Sequence, residues 1–363
     1  MSTVVTDADE EVFLLYTALL VSPSEDAHTA GFHGLGHVDS RSDVLSVKLE
    51  LTTPVLESDP GVAKSKGRSK RKAKTNGGKR TVEVELAQDK TALRTRKGDT
   101  GSVLWQASVD LAQVLLQQHH VHHVDALLDR KALAGAHILE LGAGTGLLSI
   151  LLSPLVAQYT VTDIVPILPL IRKNLLPNFP GWHPSPSPSH SSPSPFPPDK
   201  PGANIHVEEL DWTALDCIYN PALLPALVDT LDWVADSGAG TQALVVMELR
   251  QEDVVREFLA LWLARGWEVR RVEGLLGARY VIWVGSDHGA EFIPAREWME
   301  ICFGPHDLFK AHKKGLRRAA VNSFGYITKP LDPQTVLPPG QERQSQGCST
   351  VVAIVAGTYT CLG

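Results

Sequence analysis

The residues best suited to chemistry lie in His137-Ile138-Leu139-Glu140-Leu141-Gly142-Ala143-Gly144-Thr145-Gly146. Ile138, Leu139 and Leu141 form a short apolar run, as a buried strand of a parallel sheet requires. Gly142, Gly144 and Gly146 end the run, and Leu147, Leu148, Ile150, Leu151 and Leu152 predict a helix packed on that sheet. Strand, glycine turn and helix together make a site for a nucleotide-bearing cofactor, because glycine permits a tight turn and close approach of backbone to ligand. Two phosphate-binding patterns are excluded. The dinucleotide fingerprint needs Gly-x-Gly-x-x-Gly, and here the third glycine comes one residue early; the Walker loop needs Gly-Lys-Ser/Thr, which is absent. The loop is not built for a pyrophosphate.

Further candidates flank this loop. Tyr159, Val161 and Thr162 predict a strand ending at Asp163. A carboxylate there can accept hydrogen bonds from ribose hydroxyls or, in the plainer reading, cap the next helix. Ile205 and Val207 predict a third strand, followed by Glu209-Leu210-Asp211-Trp212 and then Asp216-Cys217-Ile218-Tyr219. Upstream, Gly101-Ser102-Val103-Leu104-Trp105 leads into a helix with Val109, Leu111, Ala112, Val114, Leu115 and Leu116 at helical spacing. Trp105 can pack this helix on the sheet.

Glu140-Leu141-Gly142-Ala143-Gly144-Thr145-Gly146 resembles the first motif of class I S-adenosylmethionine-dependent methyltransferases, whose loop passes under the methionine part of the cofactor. Asp216-Cys217-Ile218-Tyr219 resembles the Asp-x-x-Tyr/Phe motif of METTL21-like protein lysine methyltransferases. The continuation through Asn220, Pro221, Leu223, Leu224, Pro225, Leu227, Val228 and Leu231 is most similar to the fungal ribosomal lysine N-methyltransferase 5 group. The resemblance covers roughly residues 81–285.

It implies an α/β, Rossmann-like seven-strand sheet with an N-terminal β extension, and S-adenosyl-L-methionine as cofactor. The implied cofactor residues are Trp105, Glu140, Gly142, Gly144, Gly146, Asp163 for the ribose, and Asp211 and Trp212 for the adenine; Trp212 could equally be a core lid. Asp216 would hold the cofactor or orient the amine, and Tyr219 would line the lysine channel. The implied activity is protein-lysine N-methylation of a large-subunit ribosomal protein, without a metal. Two alternatives stand: a noncatalytic methyltransferase-fold scaffold for a translation-associated partner, and a small-molecule or RNA methyltransferase. Against the second, no Asn-Pro-Pro-Tyr type sequence is present.

One departure affects the centre of the sheet. The family has a full strand between the Asp-Trp pair and Asp-x-x-Tyr, whereas this chain has only Thr213, Ala214 and Leu215, which reach about 10 Å when extended.

The remaining sequence must position these groups. Residues 1–100 read as an N-terminal extension: a helical or docking segment over 9–21, a strand through Val44, Val47, Leu49 and Leu51, and a hairpin from Val82, Val84 and Leu86 with Leu93. Residues 61–80 are lysine- and arginine-rich with no large apolar side chain, a disordered basic insertion by composition. Without aromatics it lacks a stacking platform, so direct nucleic-acid binding is not expected, although the charge leaves it open. Residues 101–285 read as the methyltransferase domain, interrupted by a Pro/Ser insertion at 184–198. Ala243–Met247 predict a strand followed by Glu248-Leu249-Arg250, similar to the Glu/Arg segment after the fifth strand of these enzymes. Val254–Leu263 predict a helix, and Trp267–Val272 and Tyr280–Val284 predict two closing strands. Residues 286–363 have no recognised counterpart.

Bulk properties are those of a globular protein: 363 residues, 43% hydrophobic, 21% charged and net charge −7, so no global basic field favours nucleic acid. Cys217, Cys302, Cys348 and Cys361 have no metal spacing. His119, His120, His122 and His123 sit where a helix C-terminus suits imidazole, not where a metal would be held. Early acidic residues argue against a secretory signal, and no apolar stretch reaches membrane-span length, so a cytoplasmic location is the expectation; the basic run reads either as a solvated loop or as a nuclear-import signal or contact with nucleic acid or an acidic partner.

Overall fold

A computed structural model describes residues 2–21, 36–53, 78–95, 101–183, 200–211, 224–236, 241–286 and 351–358. In chain order the elements are β1 (Ser2–Val5), α1 (Ala8–Val21), β2 (Val44–Thr52), β3 (Lys79–Ala87), α2 (Lys90–Thr95), α3 (Gln106–Val121), α4 (Arg130–Gly135), β4 (His137–Leu141), α5 (Leu147–Leu152), β5 (Gln158–Asp163) and α6 (Leu168–Asn178). They continue with β6 (Ile205–Glu209), α7 (Leu224–Asp236), β7 (Gln242–Glu248), α8 (Glu252–Ala264), β8 (Glu268–Val272), β9 (Tyr280–Ser286) and β10 (Val351–Thr358).

The main sheet runs β6-β5-β4-β10-β7-β9-β8-β1. Strands β6, β5, β4, β10 and β7 are parallel; β9 is antiparallel to β7, and β8 and β1 follow antiparallel in turn. Parallel strands need cover on both faces. One face carries Ile138, Leu147, Leu148, Tyr159, Val161, Ile171, Leu244, Val246 and Ile354. The other carries Leu139, Leu141, Leu227, Leu231, Val245, Phe258, Trp262, Trp283 and Val355. This mostly parallel sheet between helices is the Rossmann-like class I architecture that the glycine motif implies.

Two expectations are corrected. Strand β3 pairs with β2, across the basic insertion, as a separate two-stranded sheet; Leu93 belongs to α2 and forms no hairpin with β3. The register places Lys79 opposite Thr52 and Arg80 opposite Leu51, so the end of the basic run is strand, held by the Lys79–Glu50 ion pair at 3.0 Å. Residues 61–77 lie outside the described residues, as do 184–198. The sheet is also continuous where local sequence has no room for its central strand. That place is taken by β10, from the region with no recognised counterpart.

The N-terminus docks as structure, not as a loose tail. Glu11 on α1 is buried and accepts from Arg271 Nη1 at 2.9 Å and Trp283 Nε1 at 3.1 Å, which fixes α1 over β8 and β9. Close packing there leaves Gly285 no room for a side chain: an added Cβ would overlap the Trp262 ring and lie 2.8 Å from Trp267 Cε3. Gly285→Ala should therefore lower unfolding stability by about 1–3 kcal/mol in urea titration.

Candidate functional site

The glycine loop is shaped by its neighbours. Strand β4 ends at Leu141, and Gly142, Gly144 and Gly146 have φ of 67°, 58° and 79°, values that side-chain-bearing residues rarely adopt. Gly144 is also crowded by backbone, since a Cβ there would lie 3.0 Å from Gly101 O. The Gly101–Trp105 segment thus lies directly over the loop, and Trp105 caps the N-terminus of α3.

Asp163, at the C-terminal end of β5, holds the loop in place. Its Oδ2 accepts the Gly144 N–H at 2.7 Å and its Oδ1 accepts the Ile164 N–H at 2.7 Å. A carboxylate at the end of β5 beside a glycine turn is the kind of acceptor that ribose hydroxyls need. Asn174 supports the loop from behind: its Nδ2 donates to Thr145 O at 2.9 Å and Ala87 O at 3.0 Å, while its Oδ1 accepts the Ala87 N–H at 2.7 Å. Gln88 donates to Asp39 O and Ser42 O and accepts the Leu104 N–H at 2.7 Å, tying residues 36–43 to the Trp105 segment. Neither Gln88 nor Asn174 could be assigned a supporting role from sequence, because their partners are distant backbone groups.

Glu140 is placed beneath the loop, inside the sheet. It accepts the Tyr159 hydroxyl at 2.8 Å. Burial pushes its carboxyl up to about 8, with the Asp163 charge adding to the push and bonds from Tyr159 and the Ser149 N–H opposing it. Tyr159, buried beside it, is raised well above its ordinary range by burial and by Glu140. Of the other expected cofactor residues, Asp211 is exposed just beyond β6, two residues past Glu209. Trp212, Asp216 and Tyr219 lie outside the described residues.

A second polar group gathers at the C-terminal end of β7. Glu248 pairs with Arg250 at 2.9 Å and stands opposite Tyr280 in the β7–β9 ladder. Burial, then the charges of Glu248 and Asp110, push the Tyr280 hydroxyl up to about 12, against Arg279 and Arg250. Asp110, on the second turn of α3, is half-buried and accepts from Gln106 Nε2 at 2.7 Å; burial raises its carboxyl above the usual range. His37 packs edge-on against Trp105 with ring centroids 4.3 Å apart. Burial, assisted by Arg250, lowers its imidazole to about 4, so it is neutral at pH 7. Sequence pattern picked out Glu248 and Arg250 but missed His37, Asp110 and Tyr280, which carry no motif. Among the described residues no group of three His, Cys, Asp or Glu side chains could hold a metal, and no helix is long and apolar enough to cross a membrane.

The residues present fit S-adenosylmethionine. The tight glycine turn allows close approach after β4, and Asp163 places a carboxylate at the end of β5 beside that turn. Bound there, the cofactor would supply an activated methyl group on a sulfonium.

Glu140 gives the site a testable pH dependence. Its carboxyl moves from about 4.5 in the unfolded chain to about 8 in the fold, so between these values the folded protein holds a proton that the unfolded chain has lost. The stability it contributes is complete below about pH 4.5 and is lost as pH rises towards 8. Glu140→Gln keeps an acceptor for Tyr159 without a charge. Its melting temperature relative to wild type, by scanning calorimetry, should rise steadily from about pH 5 to pH 8.

Residues 87–262 match a family model described as lysine methyltransferase. The chain is 35% identical over 194 residues to a Schizosaccharomyces pombe protein named diaminohydroxyphosphoribosylamino-pyrimidine deaminase, with 48% of this chain and 41% of that protein aligned. It is 55% identical over 80 residues to the S. pombe U2 snRNP component prp10, aligning 20% of this chain and 7% of that protein. The chain thus spans less than half of either relative's length. Among solved structures it is similar to the methyltransferase SibL, with TM-score 0.31, 13% identity and 49% of this chain and 58% of that chain covered. A Plasmodium falciparum dimethyladenosine transferase gives TM-score 0.28 and 17% identity, covering 56% of this chain and 80% of that chain. Likeness at that level carries no argument. The sheet order and the family match do: the sheet has the Rossmann-like class I methyltransferase architecture, and residues 87–262, less than half of the chain, are similar to a lysine-methyltransferase model.

Proposed function

We propose that the protein is an S-adenosylmethionine-dependent protein-lysine N-methyltransferase. The observation that supports this most is the group Asp110, Tyr280 and Glu248–Arg250 at the C-terminal end of β7, joined to Trp105 through His37. Glu248 is paired with Arg250, whereas Asp110 accepts from the neutral Gln106 amide, so it is the carboxyl group proposed to meet a cation. A lysine enters as an ammonium with pKa about 10.4 and must lose its proton before attack. Asp110 attracts the ammonium; raised by burial, it is also a better proton acceptor than a surface carboxylate. Tyr280 stays neutral at pH 7 and can accept an amine N–H, orienting the lone pair. Transfer then depends on alignment and exclusion of water.

The narrower identity, a large-subunit ribosomal protein as substrate with Asp216 and Tyr219 at the amine channel, rests on resemblance around Asp216–Leu231. A cytoplasmic site of action, extended to the nucleus through the basic run, belongs to the same proposal.

Two measurements test this reading. Asp163→Ala should weaken S-adenosylmethionine binding in calorimetry by about 1–3 kcal/mol, the worth of one or two hydrogen bonds. Labelled cofactor and extract from cells lacking the enzyme should give a methylated lysine, located by mass spectrometry. Asp110→Asn and Tyr280→Phe should each lower that turnover roughly tenfold or more while leaving melting near wild type. Label found only in RNA or metabolites would defeat the protein-lysine assignment. No label from folded, cofactor-bound protein would favour a scaffold.

A further inference from the structure

Helix α1 is fastened on one face and bare on the other. Val12 is fully buried, and Ala8, Leu15, Tyr16 and Leu19 pack against the second core layer. Asp9 binds Arg256 of α8 at 2.7 Å, and Glu11 binds Arg271 of β8 and Trp283 of β9. The helix is therefore a fixed part of the surface.

A helix docked by one face ordinarily turns polar side chains to water. Here Phe13 is 68% exposed, Leu20 87% and Val21 77%, and Leu14 is exposed beside them. Positions 13, 20 and 21 are seven and eight residues apart, so with Thr17 between them they line one side of the helix. No other described element exposes more than one large apolar side chain. A contiguous apolar stripe of this kind marks a surface built to be covered, whereas single exposed apolar residues are ordinary.

Charge around the stripe is of one sign. Residues 2–21 hold Asp7, Asp9, Glu10 and Glu11 and no Lys, Arg or His. Helix α8, against which α1 packs, exposes Glu252, Asp253 and Glu257. Burial, then the charges of Glu252 and Asp253, push the Tyr16 hydroxyl up to about 12, so both carboxylates lie close to α1. The cations that bond to the helix are already paired: Arg256 with Asp9 and Glu252, Arg271 with Glu11 and Glu273.

We propose that the outer face of α1 is a docking site for a basic amphipathic helix of a partner protein. Apolar anchors at helical spacing on that partner meet Phe13, Leu14, Leu20 and Val21, and its flanking lysines and arginines meet Asp9, Glu10, Glu252 and Asp253. The acidic rim decides between occupants. It repels a nucleic acid and an anionic membrane, and a second copy of this chain brings the same carboxylates.

The probe is a dye-labelled synthetic helix with leucines at heptad spacing and lysines elsewhere; its control carries glutamates in place of the lysines. In fluorescence anisotropy with the full chain, the lysine helix should bind saturably, and more weakly as salt is raised. The double variant Phe13→Ser, Leu20→Ser should weaken binding roughly tenfold or more. Equal binding by the double variant, or by the glutamate helix, would overturn the proposal. Because both side chains are exposed, the double variant should melt within about 3 °C of wild type. A fall of roughly 10 °C would mean that the chain itself covers the stripe, and would overturn it too. So would a dimer in light scattering, or sedimentation with phosphatidylcholine–phosphatidylserine vesicles, that wild type shows and the double variant loses. None of these readouts depends on methyl transfer.

Discussion

The hydrogen bond from the Gly144 N–H to Asp163 Oδ2 fixes the rest of the site. It joins the turn after β4 to the end of β5, and it requires Gly144 to sit at a φ of 58°. That conformation brings Gly101 O so near that no side chain fits, which lays the Gly101–Trp105 segment over the loop. Trp105 in turn starts α3, which carries Asp110 towards the end of β7. One amide-to-carboxylate bond therefore sets both the cofactor turn and the approach of the groups proposed for the acceptor. Asn174 and Gln88 make the arrangement rigid by binding backbone from β3 and residues 39–42.

Charge is distributed unevenly around this joint. Beneath it, Glu140 and Tyr159 share a buried bond, and burial favours the protonated carboxyl. A neutral Glu140 spares Asp163 a second negative charge close by, which helps Asp163 remain an ionised acceptor. Across the sheet, Glu248 pairs with Arg250, while Asp110 accepts from the neutral Gln106 amide. Methyl transfer from a sulfonium to a neutral amine asks little of acid or base catalysis, so this quiet electrostatic background suits a reaction governed by positioning.

Much of the cofactor side was legible in sequence because its elements are contiguous: apolar strand, glycines, helix, then a strand ending in an acid. The class I sheet followed from that order. Less legible was anything whose partner lies far away in the chain. Val82, Val84 and Leu86 have the alternation of a strand, but alternation does not name the partner, and β3 pairs with β2 across the basic run. Asp110, Tyr280 and His37 sit in ordinary helical, strand and loop positions, and only the fold brings them near Trp105 and Glu248. The shortage of residues before Asp216 was visible, yet nothing local pointed to Val351–Thr358 as the strand that occupies the centre.

The central claim is that Asp163 anchors the glycine turn and receives the ribose of the cofactor. A crystal structure with S-adenosylhomocysteine tests it most directly. The account predicts the ribose hydroxyls within hydrogen-bond distance of the Asp163 carboxylate while Gly144 N–H still donates to Oδ2. A ligand bound elsewhere, or a ribose turned away from Asp163, would contradict it.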